Sequence, residues 1–442
     1  MPKKIRYRAT DVHQICVESL LNVFEEGSTV TVGVDVAKRK FLAALCDGQG
    51  QAKQIVCFEH PRQTPSFVDV LKRLRAAGRH VQTVMEPTGT YGDCLRFQLY
   101  AHDLPVFRVN NKHVHDAAEV FDGSASKHDA KDACVIGWLH GQQRSEPWQQ
   151  LPQQRRMIRA LIAQRELFDV PLRRLLTQME PLLARHFPEL EKLFNMGRRK
   201  TPYRILEKFG SPAALAELDA DELTELIHKA ARRKPDPATV GQLMQAARNT
   251  LGVPPVADEA ELISLMSSEI LRLMQQRELI DKRIHSAVAD VPCVRAMRPR
   301  LGAVTAAVVY AYLGDPCDYA GADALEKAAG LNLIESSSGE GSERSPRRLS
   351  KRGPGIVRKY LFLTAMRLIK NDPTVAAWYQ ARRSFQAGNK AKALIAVERK
   401  LCRALVHIAA GKDFQASKLF DVRRLKLTPN AEANTETNTE AA

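Results

Sequence analysis

The chain has 442 residues, of which 44% are hydrophobic, so it can bury the cores of two or three domains. Its 66 Lys and Arg residues against 50 Asp and Glu residues give a net charge of +16, which favours a polyanionic partner, nucleic acid first, over a small acidic substrate. The eight cysteines form no CxxC pair, which argues against a zinc site and a disulfide framework. The longest apolar stretch, LGAVTAAVVYAYLG, is too short to span a bilayer, which argues against a membrane protein. Both observations favour a cytoplasmic protein.

The N-terminal third alternates strand-like and helix-like segments. Residues 1–28 form a polar extension before the first strand, STVTVGVD, in which β-branched residues alternate. FLAALCD and QAKQIVCFE follow as a hairpin around the turn GQG, and HVQTVME and LPVFRVN are further strands. Helical periodicity marks TPSFVDVLKRLRAAG, YGDCLRFQLYAHD and SKHDAKDACVIGWLHG. This order predicts an RNase H-like α/β domain over residues 29–150.

Residues 151–290 change to a heptad pattern. Apolar residues recur in alternate steps of three and four in two segments, and one arginine interrupts each seam. The first seam is Ile158, Leu161, Arg165, Phe168, Leu172, Leu175, Met179 and Leu182, and the second is Ile263, Met266, Ile270, Leu273, Arg277, Ile280, Ile284 and Ala287. The seams predict an antiparallel coiled-coil arm, within one chain or between protomers, with a small helical insert between its two helices.

Residues 291–427 are predicted to form a mainly α-helical C-terminal domain. KRGPGIVRKYLFLTAMRLI and KAKALIAVERKLCRALVHIAAG have the periodicity of amphipathic helices with basic faces. The tail, residues 428–442, lacks apolar periodicity and is predicted to be disordered.

Two carboxylates stand at the ends of predicted strands. Asp35 ends the first strand in VGVDVAK, and Glu86 ends a later strand in VMEPTG. Each alone would more often be a structural turn residue. In the predicted topology the two strands are neighbours, so both carboxylates would meet at one edge of the sheet.

The segment SKHDAKDA adds a second pair of carboxylates. Asp129 and Asp132 are three residues apart on a predicted helix and therefore share one face. Neutralisation by Lys127 and Lys131 on a solvated charged face is one interpretation of this pair. The alternative is a metal site, because four carboxylates from two strands and one helix suit Mg²⁺ or Mn²⁺, and such ions support phosphodiester chemistry. In that case His128 is a candidate partner of the metal ligands.

The linked motifs resemble a known family. VGVDVAKRKF, VMEPTGTYG, SKHDAKDA, a coiled-coil region and AAGLNLIESSSG with SKRG occur in this order over residues 29–415. The combination resembles the DEDD-motif transposases of bacterial insertion sequences, the recombinases guided by a bridge RNA. The resemblance implies a RuvC-like N-terminal domain whose metal-binding catalytic tetrad is Asp35, Glu86, Asp129 and Asp132. It also implies that Ser338 attacks a DNA phosphate and forms a covalent phosphoserine intermediate.

The stretch IESSSGEGSERSPRRLSKRGPG, residues 334–355, contains that serine. Attack by a serine hydroxyl on a phosphodiester requires loss of its proton and neutralisation of charge. Gly339 and Gly341 allow the backbone to approach DNA closely. The residues expected to hold phosphates are Arg344, Arg347, Arg348, Lys351, Arg352, Arg358 and Lys359. Without the resemblance, a flexible or phosphorylatable linker is the simpler interpretation, and Ser336 and Ser337 are substitutes for Ser338.

The resemblance further implies the partners. They are double-stranded donor and target DNA, a guide (bridge) RNA and further copies of the chain, as a dimer or tetramer in which one protomer's tetrad works with another's serine. Mg²⁺ is the implied cofactor, with Mn²⁺ as an alternative, and the setting is the bacterial cytoplasm at the nucleoid. Two other functions remain open: a metal-dependent nuclease that uses water in place of serine, and a non-catalytic nucleic-acid-binding protein. A sugar-kinase or actin-like ATPase would need phosphate loops that the sequence does not contain.

Overall fold

The architecture is that of a computed structural model, which describes residues 7–87, 89–126, 128–231, 235–334, 347–385 and 388–424. The chain divides into two compact units between Leu151 and Pro152. None of the helices in these ranges is both long enough and apolar enough to cross a membrane. The predicted tail, residues 428–442, lies outside the described residues.

The first unit is a mixed α/β domain. Its strands are β1 (Thr10–Asp11), β2 (Thr29–Asp35), β3 (Lys40–Cys46), β4 (Ala52–Glu59), β5 (His80–Met85), β6 (Val106–Val109) and β7 (Ser145–Pro147). Its helices are α1 (Val17–Val23), α2 (Thr64–Ala76), α3 (Asp93–Ala101), α4 (Asn111–Asp122) and α5 (Asp129–Gly141). The sequence pattern did not identify β1 and β7, which have only two and three residues, or helix α4.

All seven strands form one sheet in the order β1-β4-β3-β2-β5-β6-β7. The β2-β3 and β3-β4 pairs are antiparallel, as the predicted hairpin requires, whereas β2-β5 and β5-β6 are parallel. The parallel pairs are connected by crossovers through α2 and α3, which is how neighbouring parallel strands are joined. The predicted strand neighbours β2 and β5 therefore lie side by side in the sheet.

Helices cover both faces of this sheet. On one face, apolar side chains of α1, α2 and α3, such as Leu20, Leu71 and Leu95, pack on strand residues of β2, β3 and β4. On the other face, α4 and α5 pack against β3, β5 and β6. Burial on two faces explains why β2 has five consecutive buried residues.

The N-terminal extension belongs to this domain. β1 adds to the sheet edge as a parallel partner of β4, with Thr10 opposite Val56. Val12, Val17, Leu20 and Phe24 are buried in the same core as the strands. The extension thus closes one edge of the sheet and is not an appendage.

The second unit is helical apart from one short pair of strands in its described residues. Its helices are α6 (Gln153–His186), α7 (Leu190–Leu193), α8 (Thr201–Phe209), α9 (Pro212–Ala216), α10 (Ala220–Ala231), α11 (Pro237–Arg248), α12 (Ala257–Ala287), α13 (Pro292–Leu301), α14 (Ala303–Leu313), α15 (Ala322–Ala328), α16 (Gly355–Asn371), α17 (Pro373–Phe385), α18 (Lys390–Ala409) and α19 (Ala416–Leu419). The strands β8 (Leu333–Ile334) and β9 (Arg348–Leu349) lie between α15 and α16.

The two predicted seams lie on α6 and α12, which pack against each other within one chain. They run antiparallel, because Gln154 contacts Ala287 at one end and His186 lies beside Glu259 at the other. The arginines that interrupt the seams each pair with an acid of the opposite helix: Arg165 Nε lies 2.6 Å from Asp281 Oδ1, and Arg277 Nη1 lies 3.3 Å from Asp169 Oδ1. The polar positions are therefore paired within the arm.

The arm shares its two ends with different cores. Near its root, Ile158, Leu161 and Ile284 pack with residues of α13, α14, α16 and α18. Farther out, α6 and α12 pack with the insert helices α7 to α11 through residues such as Leu172 and Ile270. The apolar stretch that is too short for a membrane span is α14, seven of whose eleven residues are buried.

Candidate active site

Asp35 and Glu86 meet at one edge of the sheet. Asp35 is the last residue of β2, and Glu86 immediately follows β5. The parallel register of the two strands pairs Val34 with Met85, so the next residue on each strand is one of the two carboxylates. Both side chains are half-buried. The local pattern, a buried strand that ends in an acid, thus brings the two acids to adjacent positions.

Helix α5 lies against β2 with its backbone in close approach. A β-carbon on Gly33 would lie 2.3 Å from the carbonyl oxygen of Ala133, so only glycine fits there. The C-terminal part of α5 lies at the β3-β4 turn, where a β-carbon on Gly50 would meet Trp138 Cα at 2.6 Å. That turn lies at the end of the strands opposite to Asp35. Helix α5 therefore begins at the end of the sheet that carries Asp35 and Glu86.

Asp129 and Asp132 occupy the first turn of α5. The side chain of Asp129 is exposed, and that of Asp132 is half-buried. Carboxylates in a first turn are stabilised by the helix dipole, which offsets part of their mutual repulsion. His128, the candidate partner of the ligands, caps the helix: its Nδ1 accepts a hydrogen bond of 3.2 Å from the backbone N–H of Lys131.

The four predicted ligands therefore come to the same edge from two strands and one helix. Their donor set, carboxylate oxygens alone, suits a hard divalent cation such as Mg²⁺. Across the described ranges, however, no three His, Cys, Asp or Glu side chains are close enough together to ligate one metal ion. The residues fit the ion in donor chemistry, and they do not form a coordination shell.

Lys131 does not lie on a solvated charged face, so that part of the alternative interpretation is wrong. Its side chain is 0% exposed, and its Nζ lies 2.7 Å from Asp122 Oδ1. The same ammonium donates to the backbone carbonyls of Ser124 at 2.6 Å and Ser126 at 3.2 Å. The lysine therefore holds the loop that leads into α5. Lys127 lies outside the described residues.

Tyr7 completes this buried arrangement from the N-terminal extension. Its hydroxyl donates to Asp122 Oδ2 at 2.5 Å, and its ring packs edge-on against His128 with 4.5 Å between ring centroids. Burial works to raise the pKa of Asp122, but hydrogen bonds from Lys131 and Tyr7 hold that pKa below its ordinary value. No sequence signal identified Tyr7 or Asp122, because each gains its role from a partner distant in the chain.

The serine candidates lie outside the described residues, as do Gly339, Gly341 and Arg344. Their segment begins after Ile334 and ends before Arg347, and its two ends are adjacent because β8 and β9 are paired, with Ile334 opposite Arg348. The two motifs that flank it also pack on each other. A β-carbon on Gly330 would lie 2.5 Å from the backbone nitrogen of Gly353, which explains the glycines of AAGL and SKRG.

The predicted phosphate-binding cations fall into two groups. Arg347, Arg348, Lys351 and Arg352 are exposed around β9. Arg358 and Lys359 are half-buried: Arg358 Nη1 donates to the carbonyl of Gly353 at 2.6 Å, and Lys359 pairs with Glu166 of α6. The first group is accessible to a nucleic acid, and the second holds α16 in place.

Two family models match different parts of the chain. A model for the DEDD transposases of IS110 elements matches residues 32–188, which include all four carboxylates. A model described as the transposase IS116/IS110/IS902 family matches residues 297–380, which include the paired strands β8 and β9.

Two curated proteins are similar over most of the chain. The insertion element IS116 uncharacterized 44.8 kDa protein of Streptomyces clavuligerus is 25% identical over 330 residues, which cover 73% of this chain and 81% of that protein. The insertion element IS110 uncharacterized 43.6 kDa protein of Streptomyces coelicolor is 26% identical over 317 residues, which cover 68% of this chain and 75% of that protein. With two family models matched in order, the chain belongs to the IS110/IS116 family of insertion-sequence transposases.

Proposed function

We propose that this transposase cuts and exchanges DNA strands through a covalent intermediate between Ser338 and a DNA phosphate, assisted by the carboxylates of a RuvC-like domain. The observation that carries the proposal is the register of β2 and β5, which sets Asp35 and Glu86 side by side where α5 begins with Asp129 and Asp132. The strand order β4-β3-β2-β5-β6, with antiparallel strands followed by parallel ones, supports the RuvC-like assignment.

In the proposed reaction, a phosphate ester bond to the serine replaces the phosphate ester bond that breaks in the DNA. The oxygen of Ser338 forms a bond to phosphorus, an ester P–O bond of the DNA strand breaks, and the strand end leaves as a hydroxyl after it gains a proton. The proton of the serine hydroxyl passes to a base. Because the phosphate stays esterified to the protein, a hydroxyl of a second DNA strand can later attack it, release the serine and seal the exchanged strand. No external energy source is needed.

The carboxylates at the sheet edge are the residues that would hold Mg²⁺ or Mn²⁺. When bound, such an ion supplies charge neutralisation and a lowered barrier to deprotonation of the attacking oxygen. The chain's own part is to keep the acids together: the β2-β5 register fixes Asp35 beside Glu86, and the Lys131 anchor fixes the loop before Asp129. The placement of these acids supports the proposal of a divalent cofactor.

The proposal includes further partners. A basic chain of net charge +16 is suited to double-stranded DNA and to a bridge RNA that pairs with donor and target. A homo-oligomer would let one copy supply the carboxylates and another the serine. Mixing Asp129→Ala protein with Ser338→Ala protein tests this point, because two inactive variants should restore recombination together if the residues act from different copies.

The decisive experiment is a recombination assay with purified protein, Mg²⁺, RNA transcribed from the element's flank, and labelled donor and target DNA. We expect Ser338→Ala and Asp129→Ala each to lower recombination by at least ~10³-fold, and only protein with Ser338 to form an SDS-stable DNA adduct. Ser337→Ala and Asp116→Ala are matched controls, since Asp116 is an exposed carboxylate on α4. Cleavage without any adduct would replace the proposal with a water-using nuclease, and an adduct in Ser338→Ala would assign the nucleophile to a neighbouring serine.

A further inference from the structure

A charged cleft of about 480 Å³ opens in the helical unit beside the two-stranded sheet of β8 and β9. Helix α15 contributes Asp323, Glu326 and Lys327 to its lining, and α18 contributes Arg399 and Arg403. Arg347, which precedes β9, completes the charged wall. The cleft is also lined by Leu333 of β8, so it borders β8 and Arg347, which precede and follow the segment that contains Ser338.

A buried carboxylate fixes the two arginines of α18. Glu326 is 3% exposed, and its two oxygens bind different guanidinium groups. Oε1 lies 2.6 Å from Arg399 Nη2 and 2.7 Å from Arg399 Nε, and Oε2 lies 2.9 Å from Arg403 Nη1. Arg403 also pairs with Asp323 at the rim. A buried acid costs desolvation energy unless it is well paired, so Glu326 keeps both arginines in defined positions.

The charge of the lining selects the ligand. Four cations, Lys327, Arg347, Arg399 and Arg403, face two carboxylates, so the wall has a net charge of +2. Each guanidinium has five N–H donors, and the contacts with Glu326 and Asp323 engage only Nε and Nη2 of Arg399 and Nη1 of Arg403. Arginines held in a fixed fork match the oxygens of a phosphate, which they bind in a bidentate manner. A cation would be repelled by the net positive charge of this wall.

We propose that this cleft binds a backbone phosphate of the DNA next to the one that Ser338 attacks, with Arg399 and Arg403 as the binding residues and Glu326 as their positioning residue. The inference rests on the proposed function for the identity of the nearby nucleophile. A phosphate held here would align the DNA strand with β8 and β9, the strands that flank the segment with Ser338. Asp323, at the rim of the cleft with a side chain that is 87% exposed, opposes the phosphate by its charge.

The test measures DNA binding in a Ser338→Ala background, so that no reaction follows binding. The probe is a fluorescent duplex with the sequence of the element end, titrated at several salt concentrations. We expect the double variant Arg399→Gln/Arg403→Gln to bind roughly 10-fold more weakly and to lower the slope of log K against log salt by about 1. Asp323→Asn should bind roughly 2- to 5-fold more tightly, since a competing charge is removed. Lys390→Gln/Lys392→Gln is the matched control, with the same change in charge on exposed residues of α18.

The expected changes in DNA affinity have opposite directions in the arginine variant and in Asp323→Asn, so misfolding cannot account for both. A double arginine variant that merely unfolds would bind weakly, but it would not account for tighter binding by Asp323→Asn, and thermal midpoints identify that case. The proposal is overturned if Asp323→Asn does not tighten binding and the arginine variant matches the lysine control. A loss restricted to an RNA hairpin probe of equal length overturns the assignment to DNA.

The adduct assay separates this inference from the proposed function. In protein with Ser338 intact, the arginine variant should form less adduct at subsaturating DNA and recover at saturating DNA. If wild type forms the adduct and the cleft variants have no effect, phosphate binding in the cleft is rejected and the serine mechanism is retained. If the cleft variants alter DNA binding but wild type forms no adduct, the serine mechanism is rejected and phosphate binding in the cleft is retained.

Discussion

Lys131 and Asp122 form a buried ion pair below the first turn of α5, with 2.7 Å between Lys131 Nζ and Asp122 Oδ1. Two backbone carbonyls of the intervening loop, those of Ser124 and Ser126, accept from the same ammonium. The pair therefore decides where the helix with Asp129 and Asp132 begins. Lys131 lies between two motif acids in the sequence, yet its function is to anchor the loop.

The first prediction is that Lys131→Met destabilises the protein by about 3 kcal/mol, because it leaves the largely buried Asp122 without its cation and the two carbonyls without a donor. Urea denaturation of the full chain measures this change. Lys112→Met is the matched control: its ion pair with Asp116 is as short, at 2.6 Å, but both side chains are more than half exposed. An exposed pair contributes less than about 1 kcal/mol. Equal stability of the two variants would contradict the buried anchor.

The second prediction concerns the N-terminal extension. Burial, followed by the hydrogen bond to Asp122, raises the pKa of Tyr7, so its hydroxyl stays protonated at neutral pH and donates to the carboxylate. Tyr7→Phe keeps the ring against His128 and removes the donor, which should cost about 1 kcal/mol in urea denaturation. Tyr91→Phe is the control, since Tyr91 is an exposed aromatic residue. If both variants behave alike, the hydroxyl does not stabilise Asp122.

The third prediction tests the contact between β2 and α5. A β-carbon on Gly33 would lie 2.3 Å from one helix backbone atom, the oxygen of Ala133, and 2.4 Å from another, the nitrogen of Gly137. Gly33→Ala must displace the helix and should lower the free energy of unfolding by about 3 kcal/mol. Gly241→Ala is the control: a β-carbon at this position on α11 would meet no neighbouring element within 4 Å, so the change should stabilise by about 0.5–1 kcal/mol. A neutral Gly33→Ala would refute the close contact.

The fourth prediction is a pH dependence from Glu398 on α18. Its side chain is 2% exposed, and within the described residues its Oε1 has no hydrogen-bond partner. Burial raises the pKa of Glu398 to about 7 from 4.5, against the opposing charge of Arg358 on α16. The folded protein therefore holds this proton more tightly than the unfolded chain does. Its contribution to stability is complete below pH 4.5 and is lost as the pH rises to about 7.

Glu398→Gln removes this titration. We expect the free energy of unfolding of wild type, relative to that of the variant, to fall by about 3 kcal/mol between pH 4.5 and pH 8. Urea denaturation of both proteins at several pH values gives the difference directly, because other titrating groups are common to both. Parallel stability curves for wild type and variant would show that Glu398 does not carry a raised pKa.

The fifth prediction concerns the metal. Protein stripped with EDTA should gain thermal stability when Mn²⁺ is added, because an ion that binds only the folded state raises its stability. Asp35→Asn and Asp132→Asn should each weaken Mn²⁺ binding at least about 10-fold in calorimetric titration. Asp93→Asn, an exposed acid on α3 paired with Arg96, should bind as wild type does. Equal binding by all three variants would exclude the sheet edge as the metal site.

Local patterns accounted for much of the fold. The β2, β3 and β4 strands, the helices that follow, and the two long seams of α6 and α12 were predicted because alternation and heptad spacing are properties of short sequence windows. The elements that were missed depend on distant partners: β1 has two residues and exists by pairing with β4, and β7 has three and exists by pairing with β6. Helix α4 was also missed, although Val114, Ala117 and Phe121 share one face at helical spacing; only Val114 among its residues is fully buried.

By itself, the sequence determined which acids end strands and begin α5, because strand ends and first helical turns are local features. Only the tertiary structure decided which charged residues are anchors and which are accessible. Lys131 is buried with Asp122, Lys359 pairs with Glu166, and Arg399 is held by Glu326, three pairings in which charge is neutralised by a residue that another element brings near. Tyr7 reaches Asp122 across 115 residues of chain. Such pairs form only when folding removes water from both partners, which no spacing in the sequence records.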